Sequence, residues 1–221
     1  ESAQQTPGRD TIMRWPQRLL LLLVVPLFSS QTLSASAEFT HCTVCHGSLA
    51  QGNASILAPA LTGIEPWYLA EALAAYRAGQ RGQAASLDLP ALEMRIAARA
   101  IPAEQDSSIL QFLDQLGRQP VRPTVAGDAR SGRRLYYQHC ASCHGANARG
   151  NALLHAPDLT RLNDWYIVTA FRKYQSGLRG ADPTAVWASQ MHLATRTLPA
   201  DFPVHDIARF IVALTGATGR D

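Results

Sequence analysis

The chain has 221 residues, 47% of them hydrophobic and 17% charged, with a formal net charge of +3. That composition excludes a disordered or collagen-like chain, and so slight a basic excess gives no support to a nucleic-acid partner. There is room for one or two small domains, and no apolar run is long enough to make a helical membrane protein.

The chain opens on a targeting pattern. Met13-Arg14-Trp15-Pro16-Gln17-Arg18 is a basic n-region, Leu19 to Phe28 an apolar h-region, and Ala35-Ser36-Ala37 a small-residue cleavage site. Residues 1–37 therefore read as a signal peptide cut after Ala37, with an upstream extension ahead of Met13. The apolar run is short and broken by Pro26, which disfavours an uncleaved anchor.

Cys42-Thr43-Val44-Cys45-His46 comes next. Cys-x-x-Cys-His is the attachment signature of a c-type haem. Two thiols at this spacing can each close a thioether to one vinyl edge, and the following imidazole then sits beneath the iron. Pro59 lies 13 residues after His46 and offers a rigid turn with a carbonyl acceptor for the second imidazole N–H. Leu69, Leu73 and Tyr76 lie at i, i+4, i+7, which predicts a helix starting near Pro66 and stopped by Gly79. Ile109, Phe112 and Leu116 mark a closing helix. Gly117 to Gly127 holds Pro120 and Pro123 without apolar periodicity and reads as a semi-extended linker.

A new helix is predicted from Asp128 through Leu135 and Tyr136 into Cys140, where Cys140-Ala141-Ser142-Cys143-His144 repeats the motif. The two copies stand 98 positions apart, from Cys42 to Cys140, and together use all four cysteines. None is left for a disulfide or a thiolate nucleophile. At the same offset His41 falls on His139, Gly52 on Gly150, Pro59 on Pro157, Trp67-Tyr68 on Trp165-Tyr166, Tyr76 on Tyr174, and Arg81-Gly82 on Arg179-Gly180. This is a duplication of one unit. The second unit has capping types at Asn163 and Asp164, a helical stripe at Ile167, Phe171 and Tyr174, a stop at Gly177, and a closing helix through Ile207, Phe210 and Leu214. The first unit has no match for the helix from Asp128, since a cut after Ala37 leaves only Glu38 to His41 before Cys42: either that unit has lost most of its N-terminal helix, or the cut lies further upstream. No stretch alternates with period two, so little or no sheet is expected.

A haem iron with one histidine has a sixth position to fill. Apart from Met13 the methionines are Met94 and Met191, 48 positions after His46 and 47 after His144. That near-identity favours two sixth ligands over core filler. His41, His139, His155, His192 and His205 read as solvated or hydrogen-bonded.

Taken together, the two Cys-x-x-Cys-His-Gly motifs, the Ala-Pro-x-Leu-Thr segments at Ala58–Thr62 and Ala156–Thr160, the Gly-x-Arg-Gly turns at Gly79 and Gly177, and the single methionines ahead of each closing helix resemble a class I cytochrome c duplicated as in the diheme cytochrome c4 family. The resemblance covers Glu38 to Thr218. It implies an all-α fold of two tandem class I cytochrome c domains, residues 38–118 and 128–221 joined by 119–127, each wrapped around one covalently bound haem c. Cys42, Cys45, Cys140 and Cys143 would attach the haems; His46, Met94, His144 and Met191 would hold the irons; Pro59 and Pro157 would support the histidines. Arg81 and Arg179 fall where a family arginine lies near the haem propionates, or are solvated turn residues.

The implied function is a periplasmic carrier of single electrons, without catalytic residues, between a quinol-oxidising complex and a terminal oxidase, with room for peripheral membrane association. Two readings stay open: a cytochrome subunit docked permanently in a membrane dehydrogenase or oxidase, and a diheme enzyme such as a peroxidase or a thiosulfate-oxidising cytochrome. From Glu38 to Gln119 five arginines face eight acids, net −3; from Pro120 to Asp221 twelve basic residues face seven acids, net +5. The halves then meet different partners, or the asymmetry is plain solvated surface.

Overall fold

The structure, a computed structural model, describes Ser2, residues 37–83 and residues 87–217. The leader reading falls outside these residues except at Ser2 and Ala37. From residue 37 onward the described chain belongs to one compact unit, and among the described residues there is no strand, only single bridges at Asn53–Ala58 and Asn151–Ala156. No helix among them is long and apolar enough to cross a membrane.

Among its described residues the first half holds four α-helices: α1 (Thr40–His46), α2 (Pro66–Ala78), α3 (Leu89–Ala100) and α4 (Asp106–Gln115). Pro66 occupies the first turn of α2, and Gly79 ends it by taking φ 78°, a left-handed value that glycine adopts without strain. Helix α4 buries Ile109, Phe112 and Leu113. Phe39, fully buried just ahead of α1, packs on Phe112 with ring centroids 4.9 Å apart. Burying each such side chain is worth roughly 1.5–3 kcal/mol. Arg77 ties the helices together: Nε donates to the Ala98 carbonyl (2.9 Å) and Nη2 to Asp106 Oδ1 (2.7 Å).

The second half holds α5 (Ala129–His139), α6 (Ala141–His144), α7 (Asp164–Gln175), α8 (Val186–Arg196) and α9 (Val204–Ala217). Asp128 caps α5 by accepting from the Arg130 amide at 2.8 Å. Helix α5 crosses α9 at Gly132, where a Cβ would stand 1.8 Å from the Asp206 carbonyl oxygen. Leu135 and Tyr136 are buried below that crossing, with Tyr136 against Phe210 at 5.5 Å. Arg172 on α7 donates to the carbonyls of Ala200 (2.8 Å) and Phe202 (2.7 Å), fixing the approach to α9.

The 117–127 segment carries no helix, yet it is not a free tether. The Thr124 and Val125 amides donate to the carboxylate of fully buried Asp164. Burial opposes ionisation of Asp164, but hydrogen bonds from Thr124, Val125 and Trp165 outweigh it and hold the carboxyl below its ordinary range.

Candidate functional site: paired histidine turns and a buried arginine pair

Each cysteine motif closes a helix. Cys42, Cys45 and His46 lie on α1, which ends at Gly47 with φ 80°. Cys140 sits at the break between α5 and α6, Cys143 and His144 lie on α6, and Gly145 ends it with φ 76°. The loops that follow match bond for bond. The Gly52 amide donates to the His46 carbonyl (2.8 Å) and Gly150 to His144 (2.9 Å); Leu61 donates to Ala50 and Leu159 to Ala148, both at 2.9 Å. A Cβ on Gly52 would stand 2.7 Å from the Pro59 carbonyl carbon, and one on Gly150 2.6 Å from that of Pro157. Only glycine lets the proline segment pass so close.

That close passage sets the two motif histidines. His46 Nδ1 lies 2.8 Å from the Pro59 carbonyl oxygen, and His144 Nδ1 3.1 Å from that of Pro157. Both imidazoles are buried, and burial pushes them below their ordinary range although the proline carbonyls favour the protonated ring. A neutral ring that donates from Nδ1 keeps a lone pair on Nε2, the form a metal takes. Burial, and then the neighbouring thiol of each motif, pushes Cys42 up to about 11 and Cys140 up to about 12. Cys45 and Cys143 are exposed.

Between the halves lies a cationic core. Arg81 and Arg179 are buried, each with its guanidinium carbon 4.4 Å from the ring centre of a tyrosine in its own half, Tyr76 and Tyr174. Each also reaches across: Arg81 Nη2 donates to Tyr166 Oη (3.1 Å) and Arg179 Nη2 to Tyr68 Oη (2.9 Å). Arg179 Nε is buried without a hydrogen-bond partner. Nearby Asp88 is engaged by Lys173 at 2.7 Å. Burial opposes ionisation of Tyr166, but Arg81 and Arg179 outweigh it and draw the phenol down to about 8. Burial dominates at Tyr174 and pushes it up to about 12. Two buried guanidinia facing each other, one with an unpartnered N–H, suit an anionic group between them.

Met94 lies half-buried on α3, and Met191 half-buried on α8 against the core. His41, His139 and His205 are exposed. His155 donates to Glu71 and stacks on Trp187, and His192 Nδ1 donates to the Tyr174 carbonyl. In the sequence Tyr68 and Tyr166 stand out only as partners at the 98-residue offset. Their recurrence at one offset was the available signal for a paired role.

The cytochrome c family model matches residues 34–116, and the model for cytochrome c oxidase, cbb3-type, subunit III matches residues 127–186. Cytochrome c4 of Acidithiobacillus ferrooxidans superposes with a TM-score of 0.62 at 19% identity, over 79% of this chain and 99% of that one. The fold is that of a cytochrome c4-like diheme class I cytochrome c. This cytochrome is also 33% identical over 129 residues to the cbb3-type oxidase subunit FixPc of Rhizobium leguminosarum bv. viciae, covering 57% of the chain. It spans only 42% of FixPc. To the thiosulfate dehydrogenase electron acceptor of Thiomonas intermedia it is 28% identical over 161 residues, 68% of this cytochrome and 70% of that protein. The paired thiols and neutral buried imidazoles fit the covalently bound haem c of such folds, one for each motif.

Proposed function

We propose that this chain is a periplasmic carrier moving single electrons toward a terminal oxidase. The carrying observation is the duplicated turn in which a buried neutral imidazole commits Nδ1 to a proline carbonyl, beside two cysteines at thioether spacing. When bound, haem c supplies a reversible one-electron couple. Around it, Cys42, Cys45, Cys140 and Cys143 would anchor the rings, and His46 and His144 would present Nε2. Met94 and Met191 would complete the hold on the irons, so that no substrate binds there. Pro59 and Pro157 would fix the imidazole planes, and Arg81 and Arg179 would meet the cofactor's carboxylates. The domains would run 38–118 and 128–221 with 119–127 between, after export through a cleaved leader. A quinol-oxidising complex suits the donor role.

The cbb3-type match over residues 127–186 favours a second reading, a cytochrome held permanently as a subunit of an oxidase complex. Purification from the native membrane separates the two, since a carrier leaves in salt and a subunit stays with the oxidase. The primary test is stoichiometry and ligation together. The mature protein is expected to gain the mass of two haems, to keep its colour through acid–acetone extraction, and to leave carbon monoxide unbound when reduced. A gain of one haem, or ready carbon monoxide binding, overturns the carrier reading in favour of an enzyme with an open iron.

A further inference from the structure

The halves exchange a second pair of hydrogen bonds, directly behind the ligand histidines. The peptide unit joining Pro59 to Ala60 accepts from His46 at its carbonyl (2.8 Å), and its N–H donates to Asn163 Oδ1 of the other half (2.8 Å). The unit joining Pro157 to Asp158 accepts from His144 (3.1 Å), and its N–H donates to Glu65 Oε1 of the other half (3.0 Å). Glu65 and Asn163 are partners at the 98-residue offset and stand at the N-caps of α2 and α7, yet neither side chain caps its own helix. Each ligand histidine is thus joined through a single amide to a side chain of the opposite half.

The two relays end on different charges. Asn163 is a neutral amide and Glu65 a carboxylate, and Glu65 Oε2 is buried without a hydrogen-bond partner. The neighbouring carboxylate of Asp158 is already committed, to the Thr160 amide (2.8 Å) and hydroxyl (2.6 Å) and to Arg161 Nε (3.0 Å). A peptide group transmits polarisation because its N–H and C=O share one delocalised system. A charged acceptor bonds roughly twice as strongly as a neutral one. Glu65 therefore shifts electron density onto the Pro157 carbonyl, which pulls harder on the His144 N–H. The ring gains imidazolate character and its Nε2 becomes a stronger donor, which favours ferric over ferrous iron. The His144 contact is the longer of the two, so the ranking rests on the charge of the terminal acceptor and not on length.

We propose that Glu65 and Asn163 are positioning residues that tune the iron ligand of the opposite half, and that Glu65 holds the C-terminal haem at a lower potential than a neutral residue there would. This rests on the two-haem reading, which the mass of the unmodified protein tests separately and first. A shared electron is then biased toward the N-terminal haem.

Glu65→Gln keeps the size and the accepting oxygen but removes the charge. Redox titration of the diheme protein, with each wave assigned by nuclear Overhauser contacts to Thr43 or Ala141, should show the C-terminal potential rising and the N-terminal one unmoved. The equilibrium constant for electron sharing should change about three- to tenfold. Asn163→Asp should give the mirror result, a lower N-terminal potential. In the reduced protein the His144 Nδ1–H resonance should move upfield in Glu65→Gln while that of His46 stays. An unmoved C-terminal potential with an unmoved His144 resonance overturns the proposal. Equal shifts of both haems overturn it too, because they mark a diffuse charge effect instead of a relay.

Discussion

The two halves of this cytochrome build one histidine turn on different supports. In the C-terminal half α5 crosses α9 backbone to backbone at Gly132, and Tyr136 below it donates to the Gly145 carbonyl at 2.6 Å, bracing the residue after His144. In the N-terminal half α1 is seven residues long and Phe39 on Phe112 fills the corresponding space. Yet the two turns make the same backbone bonds, those from Gly52 to His46 and Gly150 to His144 at 2.8 and 2.9 Å and those from Leu61 to Ala50 and Leu159 to Ala148 both at 2.9 Å. The difference teaches that the turn is set locally, by a glycine that admits the proline segment and by the left-handed residues Ala50 and Ala148. The helix behind it supplies stability.

The largest effect that would sharpen this comparison is at the α5–α9 crossing. Gly132→Ala puts a Cβ against backbone, which cannot rotate away, so the helices must separate. We expect a loss of about 3 kcal/mol, at the upper end for overpacking. It should be read as faster amide exchange in α5 and α9, with α2 and α4 unchanged. Equal loosening of both halves would show that they do not have separate supports.

Next in size are the methionines. Met94→Ala or Met191→Ala should lower the potential of its own haem and open that iron to carbon monoxide, leaving the other haem alone. A methionine that merely fills core also destabilises on truncation, by about 2–5 kcal/mol, but leaves the spectrum and potential in place. The spectrum and not the melting temperature is therefore the deciding measurement.

A smaller effect separates the two uses of the arginine pair. With Arg81 and Arg179 facing only tyrosines, Tyr166 ionises near pH 8, a value drawn down from its unfolded range. A depressed phenol contributes stability above its unfolded value, and that contribution is lost as pH falls through the folded value. Haem propionates between the guanidinia would cancel the pull on Tyr166. The holoprotein should then show no tyrosine ionising near pH 8 by ultraviolet difference absorption, with stability flat across that window. A tyrosine titrating there would mean that the arginines serve Tyr68 and Tyr166 instead of the cofactor.

What could be read in advance was information close together in the chain. The cysteine motifs, the stripe from Leu69 to Tyr76 and the prolines 13 residues beyond each histidine all declare themselves within a few turns of sequence. The contacts between halves do not. Arg81 finds Tyr166 across 85 positions, Arg179 finds Tyr68 across 111, and Ala60 finds Asn163 across 103. No periodicity encodes such pairs. Asn163 has the composition of a cap, but its oxygen accepts from the Ala60 amide of the other half and makes no cap bond to its own helix. The linker likewise reads as a semi-extended spacer from its prolines alone, and buried Asp164, 40 positions on from Thr124, makes it a fixed strap.

The smallest effect concerns the outer surfaces, where the halves differ in charge. Arg133 and Arg134 are exposed on α5, with Arg133 lying 5.9 Å from the ring centre of Tyr137, and the helix leads straight into Cys140. Leu135 and Tyr136, the next two residues, are the buried ones. A partner docked on this face meets positive charge close to the C-terminal attachment site. Exposed charges act over a screening length of about 10 Å at 0.1 M salt, so they govern encounter rate more than the strength of the docked complex. Arg133→Glu with Arg134→Glu should therefore slow oxidation by an acidic partner about tenfold at low salt and flatten its salt dependence. Both potentials should hold, because neither side chain lies on the relay behind His144. The N-terminal half, acidic by count, should prefer a basic or neutral partner, and removing its acids should slow that encounter. Stopped-flow oxidation at several salt concentrations decides the matter. Rates independent of salt in both proteins would mean an apolar or permanent contact, and the oxidase-subunit reading would then displace the mobile carrier.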